Sequence, residues 1–383
     1  MHTHIGHLFY STILDVSARF REAFENKKVD FPTRSYNLFG KPTEKYLLEN
    51  NINLFEFKEF FLSHIEKDFL IRNLNLINEE VVIDDDEKVK NALQKSFKIL
   101  NEKNYLIIKD NEIFLDLSKL DKNKLIDKLE KIKITPEKVR NDIKYLIINN
   151  CNKPLKISRE RSFSIDSKIT KEKIAPFYIV TNFWDGYFSH NNYVLACSFN
   201  LILRSAVLRM VTKYMENNEI GLSEIIVYPK LLGEDVKKWD IKKISDLYYA
   251  KDLLRLAMMY SYTQKRNKLN ATNDSQKFAI KIVRRLLSMR KKVMRISLAN
   301  DRNISHSYIH YMQNFKYLNA IQELWIETTE LDKNKQFSQK EFDKLLDKYY
   351  PFIPILTKNI KAHQNIKAIE EEISKYKSLI LGE

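Results

Sequence analysis

The hydrophobic rhythm changes near residue 275, and this change restricts the fold more than any other feature of the sequence. Before it, short β-branched runs alternate with helical stripes; after it, only helical stripes remain. Two of those stripes are Phe278, Ile282, Leu286, Met289 and Val293, and Phe315, Leu318, Ile321 and Trp325. The final third is therefore expected to be a helical bundle. Upstream, Phe9, Ile13, Val16 and Phe20 recur at spacings of four, three and four, which predicts a helix starting near Gly6. Val29 to Leu38 reads as a strand and loop, stopped by Phe39-Gly40-Lys41-Pro42. Ala175 to Thr181 predicts a buried strand, Tyr193 to Met215 a helix, Glu224 to Tyr228 a second strand, and about Ser245 to Tyr260 another helix. Strand, helix, strand, helix in that order implies an α/β fold with a parallel, Rossmann-like sheet. Between about 55 and 135 the chain is charged and mostly helical, with a hairpin-like interruption from Tyr105 to Phe114. This segment reads as an insertion.

A chain of 383 residues, 44% hydrophobic, can build two or three domains with proper cores. Lys and Arg number 65 against 50 Asp and Glu, and the net charge of +15 fits an anionic partner such as a nucleic acid or nucleotide. An AT-rich coding sequence gives the same Lys excess, so charge alone does not choose a function. Cys151 and Cys197 are the two cysteines, which excludes a disulfide framework and a four-cysteine zinc site. A cytoplasmic setting is expected. No signal peptide is recognisable, and the most apolar stretch, Tyr193 to Val211, is broken by Ser, Asn and Arg, so no membrane span is predicted.

His4-Ile5-Gly6-His7 falls at the start of the first predicted helix. Two imidazoles three residues apart share a face, and a helix N-terminus offers free N–H groups and partial positive charge to a phosphate. Gly6 leaves room for a base against the backbone. By itself the tetrapeptide is more often an ordinary helix start. Together with Asp15-Val16-Ser17-Ala18-Arg19-Phe20, however, it resembles the HIGH motif and first helix of class I aminoacyl-tRNA synthetases, in the branch of the leucyl and methionyl enzymes.

The resemblance extends along the chain. Tyr36-Asn37-Leu38-Phe39-Gly40-Lys41-Pro42 is similar to a leucyl-enzyme segment whose aspartate receives the substrate ammonium; Asn37 stands at that position and keeps an acceptor without the full charge. Lys156-Ile157-Ser158-Arg159-Glu160-Arg161 resembles the serine-arginine stretch of methionyl and isoleucyl relatives. Asp185 and His190 keep the spacing of the acid and histidine that line the family's ribose and amino-acid side; an exposed acid and a core histidine are the plainer alternative. Gly233 to Trp239 stands where the family carries its KMSKS loop, whose lysines neutralise the pyrophosphate leaving group. Lys238 falls on a signature lysine and Lys237 is an added neighbour, while Asp235 and Trp239 depart from the pattern.

Ala250-Lys251-Asp252-Leu253-Leu254-Arg255-Leu256 resembles the helix after that loop, Asn319 to Leu324 the "NTAI" helix, and Tyr350-Pro351-Phe352-Ile353-Pro354 the "APFAP" turn of the anticodon-binding bundle. Lys277, Lys281, Arg284, Arg285, Arg290, Lys291, Lys292 and Arg295 form a stretch without acids, which on a helix sets positive charge around most of the polar surface and suits tRNA phosphates. A solvated basic helix would read the same way.

The resemblance implies four regions: 1–55, the first half of a Rossmann-like catalytic domain; 56–150, a short connective insertion; 151–270, the second half with a degenerate KMSKS loop; and 271–383, a helical tRNA-binding bundle. It implies ATP with Mg2+ and no zinc, an apolar amino acid (leucine first, methionine second) and tRNA. His4, His7 and Lys238 would be catalytic; Gly6, Asp185, His190 and Lys237 would bind ATP; Tyr36 and Asn37 would bind the amino acid. The alternatives are a non-catalytic tRNA-binding paralogue and an adenylating ligase with a non-tRNA acceptor. The family's strand before HIGH has only Met1-His2-Thr3 as a counterpart, so it is expected upstream or lost.

Overall fold

The computed structural model describes residues 5–27, 34–36, 38–67, 81–161, 163–182, 185, 193–228, 231–232, 244, 246–262, 269–270, 273–293, 306–333 and 337–382. The chain divides into two compact units, one of Met1–Thr33, Ile65–Glu79 and Pro229–Glu383, the other of Arg34–His64 and Glu80–Tyr228.

The second unit is α/β. Its central strand, Leu222–Tyr228, lies between Lys133–Thr135 and Tyr193–Ser198, parallel to both. Ile225, Ile226 and Val227 are all buried, the unbroken apolar run that a strand covered on both faces requires. A second parallel pair joins Arg34–Tyr36 to Val81–Ile83. The expected hairpin is present as Leu106–Lys109 against Glu112–Leu115. The helix Glu87–Glu102 buries Val89, Leu93, Phe97 and Leu100 at helical spacing, in one core with Ile143 and Ile147 of Val139–Asn150.

Two expectations in this unit are corrected. Ala175 to Thr181 is not a strand: Pro176–Asn182 is a helix. Pro176 opens it, where a missing N–H costs nothing, and Tyr178 and Ile179 are buried, with the Tyr178 ring 5.7 Å from Phe97. Tyr193 to Met215 is not one helix: Tyr193–Ser198 is the sheet strand, and the helix Leu208–Asn217 follows only after a 3-10 turn and a π-helical turn, Leu203–Val207. An apolar run of this length carries no clear period, so it does not distinguish a buried strand from a buried helix. Asp185 consequently precedes a sheet strand and follows a short helix.

The first unit is largely helical. Ile5–Glu25 is the expected first helix, with Phe9, Ile13, Val16 and Phe20 buried as its stripe. Ala250–Tyr260 is buried on every side from Ala250 to Met259, as befits a central helix. Against it pack Asn273–Lys292, Tyr317–Lys333, Pro354–Ala362 and Ile366–Leu381, while His306–Gln313 and Gln339–Tyr349 pack on Tyr317–Lys333, and together they form the expected helical end. Phe278 stacks on Tyr260 at 4.3 Å and meets Trp325 edge-on at 5.5 Å. Ser338 and Glu341 form a capping box that starts Gln339–Tyr349. Among the described residues no helix is long and apolar enough to cross a membrane.

Candidate functional site

Gly6 and His7 lie in the first turn of Ile5–Glu25, and that turn carries no acidic residue. No carboxylate of that turn offsets the partial positive charge of the helix tip, which favours a phosphate there. His4 lies outside the described residues, as do Asn37, His190, Lys237, Lys238 and Arg295.

What holds the first helix is a buried ionic cluster. The Asp15 carboxylate is fully buried and takes Arg19 Nε at 2.8 Å and Arg255 Nη2 at 2.5 Å. Arg255, also fully buried, donates further to the carbonyls of Pro351 at 3.0 Å and Phe352 at 3.2 Å. Arg19 reaches Tyr350 Oη at 3.1 Å. Asp252 accepts from Leu356 N at 2.8 Å; burial pushes its carboxyl up to about 6, against the pull of Arg255 and that backbone bond. Three segments singled out in the sequence separately, the first helix, the helix Ala250–Tyr260 and the Tyr350–Pro354 turn, thus meet at one guanidinium, that of Arg255.

In the α/β unit, Tyr36 ends the strand Arg34–Tyr36. Directly after it the amides of Leu38 and Phe39 donate to the two oxygens of Asp84 at 2.7 and 3.3 Å. Burial pushes Asp84 up to about 7, opposed by those amides. Asp185 is partly exposed, and its oxygens are taken by Arg209 at 2.9 Å and Lys213 at 2.6 Å. Lys213 also pairs with Glu216 at 2.6 Å, and Glu216 receives the Ser96 hydroxyl. Sequence reasoning missed Asp84, Arg209 and Lys213 as functional candidates. The available signal was a charge inside or at the end of an apolar run, since a buried charge demands a partner. Cys151 and Cys197 are buried, their thiols pushed up to about 11 and about 12 by burial, which disfavours the thiolate needed for metal binding or nucleophilic attack.

On the helix Asn273–Lys292 part of the expected positive charge is paired within the fold. Arg285 and Lys292 both pair with Asp332, at 2.9 and 2.8 Å, Lys291 pairs with Glu370 at 2.8 Å, and Arg290 binds Gln339. Lys277, Lys281 and Arg284 are exposed, at spacings of four and three that align them along one edge. Lys281 Nζ and the Arg285 guanidinium also lie 5.0 and 5.2 Å from the centre of the Trp325 ring, so part of this charge rests on an aromatic face.

No protein-family model matches the sequence, and no curated protein matches it. Solved structures do match in fold. Two structures of Mycobacterium tuberculosis methionyl-tRNA synthetase with methionyl-adenylate each align with a TM-score of 0.71 at 12% identity, covering 96% of this chain and 94% of theirs. The chain shares the fold of these methionyl-tRNA synthetase structures.

Proposed function

We propose that this chain is an aminoacyl-tRNA synthetase-like ligase that activates an apolar amino acid, leucine or methionine, with ATP and transfers it to tRNA. The observation that carries this reading is the acid-free first turn with Gly6 and His7, on a helix anchored at Asp15, in a chain with the class I synthetase fold. A helix tip whose own first turn carries no carboxylate suits a triphosphate.

In this reading Gly6 admits the base, and His4 and His7 hold the phosphates. The substrate carboxylate attacks the α-phosphorus, the bond to pyrophosphate breaks, and Lys237 and Lys238 stabilise the departing charge. Mg2+ belongs with the ATP phosphates; no group of three His, Cys, Asp or Glu side chains among the described residues could hold a metal by itself. Tyr36 and Asn37 bind the amino acid, with Asn37 a weaker ammonium partner than a carboxylate. Asp185 and His190 serve the ribose side. A tRNA terminal hydroxyl then attacks the acyl carbon, AMP leaves, and Lys277, Lys281 and Arg284 bind tRNA phosphates, joined in the same role by Arg285, Arg290, Lys291, Lys292 and Arg295.

The test is ATP–pyrophosphate exchange with leucine, methionine, isoleucine and valine in turn. Exchange is expected with at least one, reduced about 10²- to 10³-fold in His7→Ala. Absence of exchange with all four removes the reading. A second reading, a non-catalytic tRNA-binding paralogue, is favoured by the grip of Arg209 and Lys213 on Asp185, which occupies the oxygens a ribose would need. Binding of tRNA without any exchange would select it.

A further inference from the structure

The helix Ala250–Tyr260 buries both Asp252 and Arg255, three residues apart and so on one face. Arg255 holds the carbonyls of Pro351 and Phe352 together with Asp15, while Asp252 accepts the amide of Leu356. That amide belongs to the first turn of Pro354–Ala362, whose N-cap, Ile353, has no side chain able to cap it. One helix thus grips a single chain segment at its carbonyls and at its amide, and the same guanidinium grips the first helix. Arg19, from the first helix, closes the ring by reaching Tyr350.

Burying these charges is a poor way to gain stability, because well-packed apolar replacements of such groups are often neutral or stabilising. What the arrangement supplies is register. The stripe Phe9, Ile13, Val16 and Phe20 would tolerate a small axial slide, whereas a guanidinium shared between one carboxylate and two carbonyls would not. The tip of the first helix carries Gly6 and His7, and Lys237 and Lys238 precede in sequence the helix that bears Asp252 and Arg255.

We propose that Asp15, Asp252 and Arg255 are positioning residues for amino-acid activation, setting the first helix and the helix Ala250–Tyr260 against a common strut, the segment Tyr350 to Leu356. This role rests on the synthetase reading. A displacement of about 1 Å at reacting groups costs about 10²-fold in rate, so the register of the helix carrying His7 matters to the chemistry it serves.

The experiment compares the wild type with Arg255→Lys and with the double variant Asp15→Asn/Arg255→Met, which removes the buried Asp15–Arg255 charge pair while leaving Arg19 an oxygen acceptor at position 15. Each is followed by thermal denaturation, by KM and kcat in ATP–pyrophosphate exchange, and by amide exchange over Phe9 to Ile13. Expected for the double variant are a cooperative fold, a KM for ATP raised about tenfold or more, a smaller change in KM for the amino acid, and amide exchange at least tenfold faster; Arg255→Lys falls between. A double variant that folds with wild-type KM for ATP and wild-type amide exchange overturns the proposal, because the cluster is then only structural. Should the wild type lack exchange activity, the synthetase reading fails on that result, and the clasp is judged by the amide exchange and by equilibrium binding of MgATP. Wild-type rates and affinity in the double variant would again overturn it.

Discussion

Asp15 in the helical unit and Asp185 in the α/β unit each lie between two cations, yet water reaches only the second. The side chains of Asp15 and Arg255 have no exposure and that of Arg19 has 8%, whereas Asp185 keeps 21%. The difference separates two uses of the same chemistry. A carboxylate with no water to fall back on holds its partners permanently, since releasing either strands a charge in low dielectric. A carboxylate at the surface can trade a partner for a ligand. Lys213 has Glu216 in reserve at 2.6 Å, so Asp185 can be drawn away without leaving that lysine alone.

Arg255 is where this contrast is most exposed to experiment. Truncation in Arg255→Ala leaves Asp15 short of a partner and frees two buried carbonyls, and is expected to cost about 3–5 kcal/mol in urea denaturation. A loss below about 1 kcal/mol would mean that the cluster is not closed. Asp185→Asn should cost less, about 1–3 kcal/mol, because Glu216 retains Lys213 and solvent reaches the site. An equal loss at both positions would erase the distinction.

The pH response adds to the same contrast with a smaller effect. Burial raises Asp252 from 3.8 to about 6, so the folded state holds a proton that the unfolded state releases. Its contribution to stability is full at low pH and is lost as pH rises from about 4 through about 6. Asp252→Asn should remove that slope, read as the difference between variant and wild-type denaturation midpoints at pH 4.5 and 7. The smallest stability effect is expected at the surface. Lys277→Ala with Arg284→Ala should change stability by no more than about 0.5 kcal/mol, while lowering the salt dependence of tRNA binding by about one unit of log–log slope for each phosphate no longer neutralised. Unchanged binding would remove that edge of the helix from the tRNA surface.

Much of the fold was readable from period. The stripe Phe9, Ile13, Val16, Phe20, the strand at Leu222–Tyr228 and the helices after residue 275 each carry a pattern with one solution. Two places failed for one reason. Pro176–Asn182 and Tyr193–Ser198 are short, apolar on all sides and rich in residues that suit either state, so tertiary packing decided between them. The site was readable only as separate pieces. Asp15 and Arg255 both stood in recognised segments, but 240 residues separate them, and no local pattern states that two such segments touch. Asp84 and Arg209 were harder still: Asp84 opens an acidic run at the end of an apolar one, Arg209 lies within an apolar run, and the partner of each is set by the fold.

Amino-acid activation by this chain is tested most directly by equilibrium binding of non-hydrolysable aminoacyl-adenylate analogues, the methionyl and leucyl sulfamoyl adenosines, to the wild type and to His7→Ala and Lys238→Ala. At least one analogue is expected to bind about 10²-fold or more tighter than its amino acid or ATP alone, and His7→Ala to weaken it markedly. If neither analogue binds better than ATP, and the His7 variant is indistinguishable from wild type, then the synthetase fold of this chain serves some purpose other than amino-acid activation.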